Sequence, residues 1–248
     1  MKIIACYNIK GGVGKTAAAV NLAYLAARDG HSTLVWDLDP QGAASFYFRV
    51  KPKIKAGLQG LLRRKQELEK AIKATDYTQL DLIPADFSYR NMDLNLELFK
   101  KSRSRLRKLI KPLRKDYDYL FIDCPPSISL VSENVFEAAD ALLVPTIPTT
   151  LSLRTLYQLL MFCEEQKYQK LKILPFFSMV DRRKVLHRLM VEDPPKTSCG
   201  FLRQTIPYAS EVEQMGVKRA VLESYAHHSR AAEAYRALWN EVKLRVSD

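Results

Sequence analysis

The segment Lys10-Gly11-Gly12-Val13-Gly14-Lys15-Thr16 constrains this chain more than any other. It follows a short apolar run, Lys2–Tyr7, that reads as a strand, and it opens a stretch with helical character. Three glycines let the backbone turn its N–H groups inward toward phosphate oxygens. A helix starting near Lys15 adds the partial positive charge of its N-terminus. Lys15 is then placed to reach β- and γ-phosphates, and Thr16 to give its hydroxyl to Mg²⁺. A merely flexible turn would need neither the strand before it nor the helix after it.

The rest of the 248 residues supports that unit. Strands are predicted at Lys2–Tyr7, Ser32–Asp37, Leu80–Pro84, Tyr119–Asp123, Ala141–Pro145, Ile173–Met179 and Phe201–Ile206, separated by amphipathic stretches. Near-continuous apolar strands such as Leu120-Phe121-Ile122 suit a sheet covered on both faces. The expected fold is therefore α/β: a doubly wound, mostly parallel sheet with helices on both faces, in one domain over residues 1–248. Phe99, Ser102, Leu106, Leu109 and Leu113 predict one helix near Asp93–Lys111, ended or kinked by Pro112. A last helix is expected near Ser229–Val246, burying Ala232, Tyr235, Leu238, Trp239 and Val242.

Charge narrows the choice of partner. Lys plus Arg number 39 against 27 Asp plus Glu, a net charge of +12. Nine basic and no acidic residues lie between Lys100 and Lys115, with further clusters at Arg182, Arg183, Lys184 and Arg188 and at Lys218 and Arg219. Such an excess points to polyanions, nucleic acid first among them, although solvated helix faces account equally well for the first run. No apolar stretch reaches the roughly 18 residues of a membrane span, and no signal peptide is recognisable. Cys6, Cys124, Cys163 and Cys199 form no C-x-x-C pair, so a zinc or iron–sulfur site is not indicated; Cys6 and Cys124 are expected as buried thiols.

Two strands end in carboxylates: Trp36-Asp37-Leu38-Asp39-Pro40-Gln41-Gly42 and Phe121-Ile122-Asp123-Cys124-Pro125-Pro126-Ser127. The carboxyl ends of parallel strands lie beside a phosphate loop, where ligands bind, and Asp123 is suited to hold a Mg²⁺-bound water. The loop itself departs from G-x-x-x-x-G-K-S/T. Position 9 is Ile9, and a second lysine, Lys10, precedes paired glycines.

In these features the chain resembles the ParA/MinD family of deviant Walker ATPases over nearly its whole length. Lys10–Thr16 resembles the deviant Walker A loop, Val35–Gly42 the A′ motif and Phe121–Ser127 Walker B. Phe177–Arg183, Ile206-Pro207 and Ala234–Leu238 resemble segments of the ParA branch more weakly. The resemblance implies nucleotide contacts at Lys10, Gly11, Gly12, Val13, Gly14, Lys15, Thr16, Ala17, Met179, Ile206 and Pro207, and a metal shell at Thr16, Asp37 and Asp123. It further implies catalytic roles. Lys10 would cross to the partner subunit's phosphates, Lys15 would serve its own nucleotide, and Asp39 would orient the attacking water.

By the same resemblance, the cofactors are ATP and Mg²⁺ and the active form is an ATP-dependent sandwich homodimer. It would bind DNA non-specifically through Arg182, Arg183, Lys184, Arg188, Lys218 and Arg219, in the cytoplasm on the nucleoid. A small ParB-like or adaptor protein would stimulate slow hydrolysis and so release and distribute a cargo: plasmid, chromosome or an organelle such as a carboxysome. The final helix is consumed in packing and no basic amphipathic tail follows it, so no stable membrane association of the MinD kind is expected. Because the sequence opens directly on its first strand, a small form without an N-terminal helix-turn-helix is expected. Tyr208 and the Ala209–Gln214 run depart from the family pattern and leave the cargo open. Alternatives are a MinD-like membrane ATPase and a metabolic ligase of the same fold; Lys10 argues against the second.

Overall fold

A computed structural model describes residues 1–63 and 65–247. Seven strands form one sheet: β1 (Lys2–Cys6), β2 (Thr33–Asp37), β3 (Lys73–Ala74), β4 (Leu80–Ile83), β5 (Tyr119–Asp123), β6 (Ala141–Thr146) and β7 (Lys172–Phe177). Their order is β3-β4-β2-β5-β1-β6-β7, parallel throughout except for the short β3. The chain winds from β1 toward β2 on one side and reaches β6 on the other. The carboxyl end of β1 is thus the crevice where ligands bind in such sheets.

Alternation along each strand builds two cores. Ile3, Ala5, Trp36, Leu120 and Ile122 face one way and Ile4, Cys6, Val35 and Phe121 the other, all fully buried. The second face is covered by α1 (Lys15–Arg28) and by a long C-terminal helix, Arg230–Ser247, whose Ala232, Tyr235, Leu238, Trp239 and Val242 are buried as expected. Small residues on α1, among them Ala18, Ala19, Ala23 and Ala26, let that helix lie close to the strands. Trp239 Nε1 donates to Asp29 Oδ2 at 2.9 Å, tying the end of the chain to the end of α1. No helix among the described residues is long and apolar enough to cross a membrane.

Two expected elements differ. Phe201–Ile206 is not a strand; the chain bends at Arg203. The segment donates from Leu202 N to Pro175 O (2.8 Å) and from Ile206 N to Phe177 O (2.9 Å), bonds four residues apart on this segment but two apart on β7, so the two keep no common register. The basic helix expected over Asp93–Lys111 is broken into Met92–Glu97, a 3₁₀ turn at Ser102–Ser104, Arg105–Ile110 and a second 3₁₀ turn at Lys111–Lys115. Asn134 Oδ1 accepts from Arg105 N (2.9 Å) and Leu106 N (3.2 Å), so a side chain from a neighbouring helix starts a new helix there. Leu106, Leu109 and Leu113 keep their inward positions.

Candidate functional site: the phosphate loop and the paired aspartates

The loop leaves β1 at Cys6 and enters α1 at Lys15. Gly12 and Gly14 have φ of +68° and +93°, a region that a side chain would strain. Gly14 is the N-cap of α1 and no side chain caps the helix, so its first N–H groups are left for an outside acceptor. A Cβ on Gly11, Gly12 or Gly14 would meet nothing within 4 Å, which leaves an open cradle above the loop. Ser178 Oγ donates to the Val13 carbonyl at 2.7 Å and holds the loop from below.

The two lysines point differently. Lys15 is buried, and its Nζ donates to the Lys10 carbonyl at 3.1 Å. Burial pulls the Lys15 ammonium pKa down, opposed by the charge of Asp123. Lys10 is half-buried, and its Nζ donates to Ser152 Oγ at 3.4 Å, in the first turn of the helix Thr150–Glu165. Its charge therefore leans away from its own loop.

Asp37 and Asp123 are direct neighbours in the β2–β5 register, and both are fully buried. Asp37 Oδ2 accepts from Ser45 N (2.7 Å) and Ser45 Oγ (2.8 Å); among the described residues Asp37 Oδ1 and both oxygens of Asp123 have no donor at full hydrogen-bond geometry, and the nearby Thr16 hydroxyl only partly eases the Asp123 charge. Buried carboxylate oxygens without donors are costly. Burial and the nearby Asp39 charge push the Asp37 carboxyl up to about 6, against the Ser45 hydrogen bonds. Burial, then the Asp37 charge, raises Asp123 well above the usual carboxylate range. A divalent cation is the chemistry such a pair lacks: it would offset both the lost hydration and the mutual repulsion. With Thr16 in the first turn of α1, these residues fit a Mg²⁺ that takes its other ligands from phosphate and water.

Asp39 lies just beyond β2, half-buried, with Oδ1 accepting from Gln41 N at 2.9 Å. Next to the glycines is a cavity of about 170 Å³ lined by Ala17, Met179, Ile206 and Pro207, four of the residues expected to contact nucleotide. Ser178, Tyr208, Ala209, Val212 and Tyr235 line it as well and were not anticipated. Each lies in a segment that the sequence marked for another reason: Ser178 in Phe177–Arg183, Tyr235 in Ala234–Leu238, and Tyr208, Ala209 and Val212 in the run that departs from the family pattern.

The basic clusters are less uniform than their sequence implies. Arg182, Arg183, Lys184 and Arg188 are exposed around the helix Val185–Glu192. Arg183, however, is paired twice with Asp181 at 2.9 Å, and Arg188 donates to the Arg182 carbonyl at 2.9 Å. Val185, Leu186 and Leu189 are exposed among them, so this surface is apolar as well as basic. Arg230, unremarked in the sequence, lines one cleft with Arg182 and Arg183. Arg219 sits over the Phe46 ring at 4.5 Å and donates to the Phe46 carbonyl, while Lys218 is exposed. In the Lys100–Lys115 run, Arg103 and Arg107 pair with Glu133 and Glu137, and Arg105 binds the Leu62 carbonyl. Cys6 and Cys124 are buried free thiols.

A family model described as an AAA domain matches residues 1–174. The sporulation initiation inhibitor protein Soj of Bacillus subtilis is 31% identical over 247 residues, covering 97% of this chain and 98% of Soj. The chromosome partitioning protein ParA of Caulobacter vibrioides is 32% identical over 200 residues, covering 78% of this chain and 75% of that protein. A structure of cobyrinic acid a,c-diamide synthase from Mycobacterium smegmatis, with bound ATP analog and magnesium, superposes with a TM-score of 0.83 at 26% identity over 97% of this chain and 93% of that one. With a two-lysine loop at Lys10–Thr16, aspartates ending β2 and β5 and a likeness to Soj along its whole length, the chain belongs to the ParA/MinD family of deviant Walker ATPases, in its partition and positioning branch.

Proposed function

We propose that this protein binds Mg²⁺-ATP at the Lys10–Thr16 loop, closes on a second copy of itself, and hydrolyses the nucleotide slowly within that dimer. The observation that carries the reading is the pair of buried, adjacent carboxylates of Asp37 and Asp123, with three of their four oxygens lacking a donor among the described residues, beside the buried ammonium of Lys15. That arrangement is unfavourable without a ligand and favourable around a metal-bound triphosphate. Mg²⁺, when bound, neutralises charge between the β- and γ-phosphates. The N–H groups of Gly11 to Thr16 and the Lys15 ammonium hold the phosphates, and Ala17, Met179, Ile206 and Pro207 receive the base. Asp39 orients water; it need not be a strong base, because phosphoryl transfer depends mainly on positioning and charge.

Lys10, leaning away from its own loop, is free to add its charge to the γ-phosphate of a facing subunit. Charge supplied in trans couples dimer formation to turnover. The dimer doubles the basic surface around Arg182, Lys184 and Arg188, so ATP controls DNA binding without any change in the basic residues. A small partner protein that stimulates hydrolysis would complete a positioning cycle on the nucleoid.

Asp39→Ala tests this. The variant is expected to bind ATP, to lose turnover, and to sediment as a dimer in Mg²⁺-ATP. A monomer at saturating ATP, or normal turnover, contradicts the proposal. The likeness to cobyrinic acid a,c-diamide synthase favours one other reading, an ATP-dependent ligase. ATP turnover that depends on an added carboxylic acid and amine would establish that reading instead.

A further inference from the structure

A hollow with an apolar floor, outside the nucleotide site, lies between residues 50–56 on one side and the helix Lys65–Ala71 with β3 on the other. It has a volume of about 380 Å³. Lys51, Lys53, Lys55, Lys70 and Lys73 stand around it, all exposed. Val50, Ile54, Ala56 and Ala71 supply its apolar lining. Glu67 is the one acidic residue described in the lining, and it is already paired with Lys70 at 3.0 Å. No ion pair is found for Lys51, Lys53, Lys55 or Lys73 among the described residues.

We propose that this hollow is a second anion site, separate from the phosphate loop, which takes a free polyphosphate of nucleotide size. Four lysines from two segments border one concavity, with only the Asp86 charge near Lys53 and the Glu67–Lys70 pair to offset them among the described residues, and a multivalent anion would balance that local excess of positive charge. A volume in the few-hundred-Å³ range fits a small molecule rather than a flat phosphate track, and the apolar floor gives a base or ring somewhere to lie. Lysine suits phosphate as a mobile point charge, so several can close on one group.

The walls are fixed in advance. Val50 N donates to the Ser45 carbonyl at 3.0 Å, Lys53 N to the Lys51 carbonyl at 2.8 Å, and Gly57 N to the Ile54 carbonyl at 3.0 Å. Ile54 N donates to Asp86 Oδ2 at 2.8 Å. A site whose backbone is already hydrogen-bonded loses little order on binding. The inference does not depend on the proposed ATPase cycle, because none of these residues belongs to the loop or to the aspartate pair.

The same chemistry could come from the phosphates of a DNA backbone, so the test separates the two sources. Tripolyphosphate is titrated calorimetrically into the full chain at low salt, without Mg²⁺ or nucleotide. Two binding events per chain are expected. Lys15→Ala removes one; Lys53→Gln with Lys55→Gln and Lys73→Gln weakens the other by at least about tenfold, the scale of one lost charge-assisted contact. The triple variant retains Mg²⁺-ATP binding at the loop, which shows that it is folded. A single event abolished by Lys15→Ala overturns the proposal. So does a triple variant that leaves both events intact. A short duplex that binds through these lysines while tripolyphosphate shows no second event also overturns it, and assigns the lysines to DNA.

Discussion

Replacing Asp37 with asparagine is expected to stabilise the nucleotide-free protein at neutral pH while disabling its response to Mg²⁺-ATP. Asp37 is fully buried, and burial, reinforced by Asp39, lifts its carboxyl from the ordinary 3.8 to about 6. The folded state thus holds the proton more tightly than the unfolded chain. Stability falls as pH rises from about 4 to about 6, and the full deficit persists above that. A rise of about two pH units, at about 1.4 kcal/mol each, amounts to about 3 kcal/mol at pH 7.5. Asparagine has nearly the same shape and keeps an oxygen to accept from Ser45 N and Ser45 Oγ, and its amide supplies a donor that Asp123 lacks. Allowing for imperfect amide geometry, the expected gain is about 1–3 kcal/mol, or roughly 2–4 °C per kcal/mol for a chain of this size. Urea and thermal melts of both proteins, without nucleotide or metal, measure it at pH 5 and pH 7.5. The advantage of the variant at pH 5 should be about half of that at pH 7.5. Adding Mg²⁺-ATP should reverse the order, because only the wild type gains. A variant that is less stable at pH 7.5, or that differs equally at both pH values, refutes the electrostatic reasoning.

Lys15→Ala removes a charge-assisted phosphate contact and should weaken Mg²⁺-ATP binding by about 1.5–3 kcal/mol, measurable by calorimetry; unchanged affinity removes the loop from the site. On the basic surface, Arg182→Ala with Lys184→Ala should lower the slope of log affinity against log salt by about 0.9 per lost phosphate contact. Arg183→Ala should change it less, because Asp181 already neutralises that guanidinium.

The geometry of the candidate nucleotide site is legible in the sequence because its determinants are local or follow from strand order. The glycine spacing of Lys10–Thr16 fixes the loop, and an aspartate at the end of an apolar run becomes a carboxylate at the sheet's carboxyl edge. The same reasoning failed where a distant side chain decides the outcome. The leucine spacing between Phe99 and Leu113 reads as one helix, and those leucines do point inward, but nothing local to Ser104 reveals that Asn134 will start a helix at Arg105. Phe201–Ile206 has strand-like composition, yet its two bonds to β7 fall four residues apart on its own side and two apart on the other, a mismatch that composition does not show. The basic clusters were legible as charge but not as free charge: Asp181, Phe46, Glu133 and Glu137 engage arginines that composition counts as available. The cavity beside residues 50–56 gave only one hint, the density of lysines from Lys51 to Lys55.

Nucleotide control of DNA binding is the most direct measurement. Asp39→Ala protein is titrated onto two unrelated duplexes of equal length in Mg²⁺-ATP, in Mg²⁺-ADP and without nucleotide, with anionic liposomes in parallel. Tight binding to both duplexes alike, in ATP only, and none to liposomes is the expected result. Equal affinity in all three nucleotide states, a strong preference for one duplex, or capture by liposomes in place of DNA contradicts it.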